Sequence, residues 1–278
     1  MISETYSFSG KTAWVTGASS GLGAAMARDL AGRGARVILS GRDEAALEKT
    51  AADCPDHLVL PFEARDFDAI EGIAAKAWDW AGGVDILVNN AGVSQRALAV
   101  DTPFSVYRDL IEIDLLAPIA LSQALLPRMA ERGSGRFINI ASIAGKVGSP
   151  LRTGYSAAKH GIVGYGDALR AETDMLGLGV HTVVLGSVAT NVSRNALDET
   201  GKARERSDAL IDAGMPASDA SRLILDAMAE GQREIVVGRG IEEQLGEARR
   251  TPDELFDSVA AMSRENLAQQ LETDPAAS

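Results

Sequence analysis

A short aliphatic strand, Thr12–Thr16, runs straight into Thr16-Gly17-Ala18-Ser19-Ser20-Gly21-Leu22-Gly23 and then into a helical pattern that lasts to about Gly32. A strand, a glycine-rich turn and a helix in immediate succession leave few choices of architecture. The rest of the chain repeats the alternation. Val37–Ser40, Leu58–Phe62, Val84–Val88, Arg136–Ile140, Val180–Leu185 and Glu234–Val237 read as further strands. Helical patterns separate them. Asp43 is placed to cap one helix, Asp66 to open another, and a long helix spans about Phe104–Arg132. Seven strands alternating with helices predict βαβ units and a parallel sheet covered on both faces.

Glycines let the backbone approach a pyrophosphate, and a helix N-terminus supplies unpaired N–H groups and positive potential. The turn after the first strand of a parallel sheet is where a dinucleotide binds. Gly17, Ser19, Ser20, Gly21, Leu22 and Gly23 are therefore candidate cofactor contacts. The spacing differs from the generic G-x-G-x-x-G fingerprint, and no Lys-Ser/Thr follows to make a Walker loop.

Tyr155 and Lys159 lie four residues apart at the start of a predicted helix, so they share a face. A tyrosine near its reference pKa of ~10 is a poor acid–base group at neutral pH. Bringing it to about 7 requires roughly 4 kcal/mol in favour of the phenolate. One ammonium at ~4 Å, with an effective dielectric of ~20, supplies about that much.

Together the turn, Asn89-Asn90-Ala91-Gly92 after the fourth strand, Ser142 after the fifth, and Tyr155-Ser156-Ala157-Ala158-Lys159 resemble the short-chain dehydrogenase/reductase family. The similarity runs from about residue 8 to 238. The stretch Ser142–Arg170 also resembles the branch whose members are called 7 and 7B. The resemblance implies an α/β, doubly wound Rossmann fold with a seven-stranded parallel sheet and a helical C-terminal extension. It implies one dinucleotide-binding and catalytic domain over 1–240, with 241–278 as an acidic extension of it. It further implies an oxidoreductase that interconverts a carbonyl and an alcohol by hydride transfer. Tyr155 would exchange a proton with the substrate oxygen. Lys159 would assist it and bind the nicotinamide ribose, and Ser142 would hydrogen-bond the substrate oxygen. Asn90, Ala91 and Gly92 would flank the cofactor, with Val188 and Thr190 contacting its carboxamide end. For Asn90 and Ser142, turn capping is a second reading that can hold alongside the first. No metal ligand is assigned.

The chain departs from the family pattern twice. Asp114 stands on the long helix where the family usually has Asn, completing a proton relay. Its carboxylate near Lys159 would stabilise the ammonium and weaken its pull on Tyr155. Activity is expected to survive. Leu185-Gly186 stands where Pro-Gly is common, which loosens a turn without removing chemistry.

At the end of the second strand Gly41 occupies the place of an NAD-selecting acid, and Arg42 follows. No carboxylate there repels a 2′-phosphate, and Arg42 can pair with one. NADP(H) is expected, with NAD(H) the alternative. Glu63 sits where the family often has an Asp against the adenine amine. Lys146–Thr153 and about Asn191–Pro216 are the expected substrate loops. Arg194, Arg204 and Arg206 in the second of these either receive an acidic or thioester-linked substrate or face water.

Net charge is −12, and residues 241–278 carry nine acids and three bases, half of the excess. An acidic chain repels phosphate backbones and anionic lipid, so nucleic-acid binding is not expected. No run of 18 consecutive apolar residues occurs, so no membrane span is expected. The single cysteine, Cys54, and an N-terminus without the order of a signal peptide point to a cytoplasmic location. The long helix carries apolar residues nearly all round, including Leu110, Leu115, Leu121 and Leu125, with Pro118 and Pro127 inside it. In the family this helix and the Tyr-Lys helix often pair across a two-fold, so a homodimer or homotetramer is expected. A non-catalytic dinucleotide-binding sensor or assembly protein on the same fold is the alternative function. A sugar-nucleotide epimerase fits less well, because the chain lacks the length for its added domain.

Overall fold

A computed structural model describes residues 5–206 and 208–273. Seven parallel strands form one sheet: β1 (Thr12–Thr16), β2 (Arg36–Ser40), β3 (His57–Val59), β4 (Ile86–Asn89), β5 (Gly135–Ile140), β6 (Leu178–Leu185) and, after a short pair, β9 (Glu234–Val237). Their spatial order is β3-β2-β1-β4-β5-β6-β9. The chain moves outward in one direction through β3 and then in the other from β4. The crevice at this reversal, beyond the carboxyl ends of β1 and β4, is where such sheets hold ligands.

The sequence pattern explains the layering. Every residue of β1 is buried, as a central strand covered on both faces requires. On one face α1 (Gly21–Gly32), α2 (Glu44–Ala51) and α8 (Ala217–Ala229) cover Val15, Val37, Leu39, Ile138 and Val183. On the other, α3 (Ile70–Ala81) and α5 (Ala117–Arg132) pack Leu121, Leu125 and Met129 against Trp14, Leu87 and Phe137. Leu125 is fully buried, so truncating it to Ala would cost about 2–5 kcal/mol. The Trp14 indole donates to Ser40 Oγ at 2.8 Å, and Ser40 Oγ donates to Leu60 O at 2.6 Å, locking β1, β2 and β3 together.

Three elements differ from expectation. β3 ends at Val59 rather than Phe62. Leu60 and Phe62 still donate to Leu39 and Gly41, so the segment stays extended beside β2 after the regular ladder stops. Asp66 caps through Ala69 N, but the first turn, Phe67–Ala69, is a 3-10 turn ahead of α3. The long helix is α4 (Phe104–Ile111) and α5 joined by a π-helical turn, Glu112–Leu116, in which Ala117 N reaches back five residues to Glu112 O. Pro118 follows directly and has no N–H to return to the Asp114 carbonyl, a cause of the widened turn. Taken together, Phe104–Arg132 is long and apolar enough to cross a membrane by length and composition, contrary to the estimate from consecutive apolar residues. Here it lies in the domain, with Leu110, Leu121, Leu125 and Met129 buried.

The Tyr-Lys helix, α6 (Thr153–Thr173), packs beside α4 and the π turn. Gly154 and Gly161 leave room for Leu110 and Leu115. Beyond β6, a two-residue pair joins β7 (Val188–Ala189) to β8 (Met215–Pro216), and α7 (Ala209–Asp212) lies between them in sequence. After β9, α9 (Ile241–Ala248) seats Gly246 on Val236 and Ile143, and α10 (Asp253–Thr273) returns along α6, with Phe256 under the Arg170 guanidinium.

Candidate active site

The first turn after β1 is shaped by what a side chain would hit. Gly17 has φ +66°, and a Cβ there would fall 2.9 Å from Ala91 Cα; at Gly23 a Cβ would fall 2.3 Å from Gly17 O. Only glycine permits both the bend and the contact. Asn90 closes the turn from the β4 side: its Nδ2 donates to Thr16 O at 2.9 Å, and the amides of Asn90 and Ala91 donate to Thr16 Oγ1. Ser20 precedes α1 in extended conformation and makes no side-chain cap. The first-turn amides of α1 therefore face the cavity without a side-chain partner, beside Gly17, Ser19, Ser20, Gly21 and Leu22. This cradle fits the pyrophosphate of a dinucleotide.

One cavity of about 650 Å³ gathers almost every residue singled out from the sequence. At one end lie Arg42 and Glu63; in the middle lie Asn90, Ala91 and Gly92; at the other lie Asp114, Ser142, Tyr155, Lys159, Val188 and Thr190. Gly23 is the exception among the cofactor and catalytic candidates; it sits behind the turn and makes the close packing possible. Arg194, Arg204 and Arg206 of the expected substrate loop do not line the cavity, Arg194 and Arg206 facing water.

Lys159 is buried. Its Nζ donates to Ile140 O at 3.0 Å and lies 3.5 Å from Asp114 Oδ2 and 5.6 Å from the centre of the Tyr155 ring. Asp114 sits in the π turn, 1% exposed; its Oδ1 accepts from Val93 N at 2.8 Å, and its Oδ2 faces the Lys159 ammonium with no other polar partner among the described residues. Burial alone would push the Lys159 amine down. The Asp114 carboxylate and Tyr155 more than compensate, so the ammonium is favoured beyond its ordinary range. Burial pushes the Asp114 carboxyl up, against the pull of Lys159 and the Val93 amide.

Ser142 caps the 3-10 turn Ile143–Gly145 by accepting from Ala144 N at 3.1 Å. Its hydroxyl proton stays free to donate into the cavity, so the capping and substrate-facing readings coexist. At the adenosine end, Arg42 is 71% exposed and 3.9 Å from Glu63 Oε2. Arg65 stands on the other side of Glu63 at 3.8 Å and donates to Asp109 at 3.0 Å.

Four residues of the cavity or its supports escaped the sequence reading. Arg65 follows Glu63 by two residues, with no motif around it to mark it. Gln95 is fully buried; its Oε1 accepts from Gly154 N at 2.8 Å and from Tyr155 N at 3.4 Å, capping α6 where the tyrosine stands. Glu242, in the first turn of α9, accepts from Ser187 N at 2.7 Å and from Ser187 Oγ at 2.6 Å. It thereby holds the Gly186-Ser187 turn, the place where Pro is absent. Arg152 lines the cavity three residues before Tyr155. A Gly240 followed by two glutamates was the one local signal for Glu242, as a helix start.

Known proteins resemble this chain in sequence and in fold. The short chain dehydrogenase family matches residues 11–201. A Danio rerio protein named dehydrogenase/reductase SDR family member 7B is 37% identical over 237 residues, 82% of this chain and 77% of its own length. A short-chain dehydrogenase of Streptomyces avermitilis superposes with a TM-score of 0.76 at 30% identity, over 95% of this chain and all of its own. A short chain dehydrogenase/reductase of Burkholderia phymatum, solved in complex with NAD, shares the fold with a TM-score of 0.78 at 23% identity, over 89% of this chain and 98% of its own.

Proposed function

The chain belongs to the short chain dehydrogenase family, and from that premise we propose that it is an NADP(H)-dependent oxidoreductase interconverting a carbonyl compound and its alcohol. The observation that carries this reading is the convergence of Tyr155, Lys159 and Ser142 on the cavity that the glycine turn opens. A bound nicotinamide dinucleotide supplies or accepts the hydride. The protein's part is to hold and move the proton. Tyr155 exchanges it with the substrate oxygen. Buried Lys159 keeps its ammonium oriented by Ile140 O and placed beside the Tyr155 ring. Ser142 donates its hydroxyl proton to the same substrate oxygen, and Thr190 and Val188 line the carboxamide end.

Arg42 and Arg65 favour the 2′-phosphate. Arg42 is the freer of the two, 71% exposed and 3.9 Å from Glu63, whereas Arg65 is also held by Asp109 at 3.0 Å and adds positive charge beside it. A guanidinium fork matches phosphate geometry. Fluorescence titration with NADPH and NADH tests this. Tighter binding of NADPH, by about tenfold or more, is expected, with the preference falling in Arg42→Ala. Equal or tighter NADH binding would overturn the assignment. The same reading places the enzyme in the cytoplasm as a homodimer or homotetramer paired through α4, α5 and α6, where Leu116 remains exposed. A native mass at the monomer value would contradict the pairing.

A further inference from the structure

The far end of the cavity carries Arg152, a cation with no ion-pair partner among the described residues, in a chain whose net charge is −12. Arg152 precedes α6 and lines the cavity with Ser142 and Tyr155. Its Nε is buried and has no hydrogen-bond partner among the described residues. Among the described residues no carboxylate lies within ion-pair distance of Arg152 or of Arg204. Arg96 stands close to both. Burial and the charges of Arg152 and Arg204 hold its guanidinium below the ordinary range, and among the described residues Asp208 is the one acid paired with it. Three guanidinium groups thus share one carboxylate.

Two of them adjoin residues with left-handed backbone. Among the described residues Leu151, at φ +65°, and Glu205, at φ +57°, are the two non-glycine residues in the left-handed region. One is next to Arg152 and the other next to Arg204. Such conformations are costly for side-chain-bearing residues and persist where the surrounding structure holds them, often at ligand sites. A buried guanidinium Nε without a partner is likewise costly unless a ligand completes it.

Building on the oxidoreductase reading, we propose that the substrate is an oxoanion, a carbonyl compound or alcohol bearing a carboxylate or phosphate that Arg152 receives while Tyr155 and Ser142 hold the reacting oxygen. Arg96, which feels the charges of both Arg152 and Arg204, adds positive potential behind it. The placement three residues ahead of Tyr155 on the same helix start keeps the anion close to the reacting centre. Short, polar-ended substrates follow from that spacing.

The test compares matched pairs on the full-length protein: 2-oxobutyrate against its methyl ester, and hydroxyacetone phosphate against hydroxyacetone, each followed by NADPH oxidation. A kcat/KM ratio of about tenfold or more for the anion over its neutral partner is expected, because a charge-assisted pair is lost in the neutral compound. Arg152→Ala should collapse that ratio, Arg152→Lys should recover part of it, and Arg206→Ala on the neighbouring loop should leave it in place. Which pair shows the larger ratio separates carboxylate from phosphate. A ratio near one, or one that Arg206→Ala reduces as much as Arg152→Ala, would overturn the proposal. Calorimetric titration of 2-oxobutyrate and inorganic phosphate into the protein with NADP⁺ decides the matter even without turnover. Binding that Arg152→Ala abolishes would uphold the anion site while the oxidoreductase reading failed. Absence of binding to the wild-type complex would overturn the anion site by itself.

Discussion

The ammonium of Lys159 lies 3.5 Å from Asp114 Oδ2, with side-chain exposures of 7% and 0%. The pair forms because the π turn Glu112–Leu116 swings Asp114 toward α6, where Val93 N holds its other oxygen. A carboxylate here compensates the ammonium that otherwise acts on Tyr155 alone. The arrangement ties proton transfer at Tyr155 to a charge on a different helix.

Replacing that carboxylate by its neutral isostere isolates the coupling. In Asp114→Asn the ammonium loses its counter-charge and pulls harder on the phenol oxygen. The rising limb of alcohol oxidation against pH should move to lower pH. Removing one partner of a buried pair should also cost about 3 kcal/mol of stability, read by denaturant unfolding. An unchanged pH profile would show that Asp114 is only a packing residue.

Gln95 acts on Tyr155 through the backbone. Its side-chain carbonyl takes the amides of Gly154 and Tyr155, and its Nε2 donates to Thr102 Oγ1 at 3.1 Å. Gln95→Ala leaves the start of α6 uncapped, at about 1 kcal/mol of stability. kcat should fall more than KM rises, and Gln95→Glu, which keeps the acceptor, should restore most of the loss. Equal effects of the two variants would contradict a capping role.

Glu242 makes the C-terminal region part of the cofactor end of the site. Two hydrogen bonds to Ser187 fix the turn leading to Val188 and Thr190. Glu242→Ala should raise KM for the dinucleotide by about tenfold with a smaller effect on kcat. Unchanged KM would mean that the turn holds itself.

His181 governs acid stability. It is buried on β6, and its Nδ1 lies 2.6 Å from Gln232 O, so the proton sits on Nδ1. Nε2 has no partner. Burial, with Arg136 and Arg170 nearby, pushes its pKa from 6.5 to about 4. Below pH 6.5 the unfolded chain therefore binds a proton that the folded chain refuses. Stability is full above that value and drains as pH falls through about 4. Between pH 7 and pH 5 the loss from this group is about 2 kcal/mol. His181→Asn should flatten that part of the stability profile; an identical slope would rule the group out.

The strands, the order of helices and the glycine turn were legible because hydrophobic period and turn chemistry are local signals. Thr12–Thr16 and Glu234–Val237 matched to the residue. The π turn was not legible: Pro118 signalled a disturbance, but whether a helix kinks or widens depends on what packs beside it. Tyr155, Lys159 and Ser142 were found through spacing within single segments. Gln95 and Glu242 act across 59 and 55 residues of sequence, and nothing local marks a Gln that will cap a distant helix. Arg42 was visible at a strand end, whereas Arg65 and Arg152 gain meaning only from the cavity they share.

The most direct test of the account is single-turnover reduction with 4-deuterated NADPH in wild type and in Tyr155→Phe. The wild type should pass deuterium to the carbonyl carbon of an accepted substrate, and Tyr155→Phe should bind NADPH with similar affinity while slowing transfer by about a hundredfold or more. Transfer at an undiminished rate in Tyr155→Phe would contradict the assignment of the proton to Tyr155, and tight NADPH binding with no transfer from the wild type to any carbonyl would favour a dinucleotide sensor.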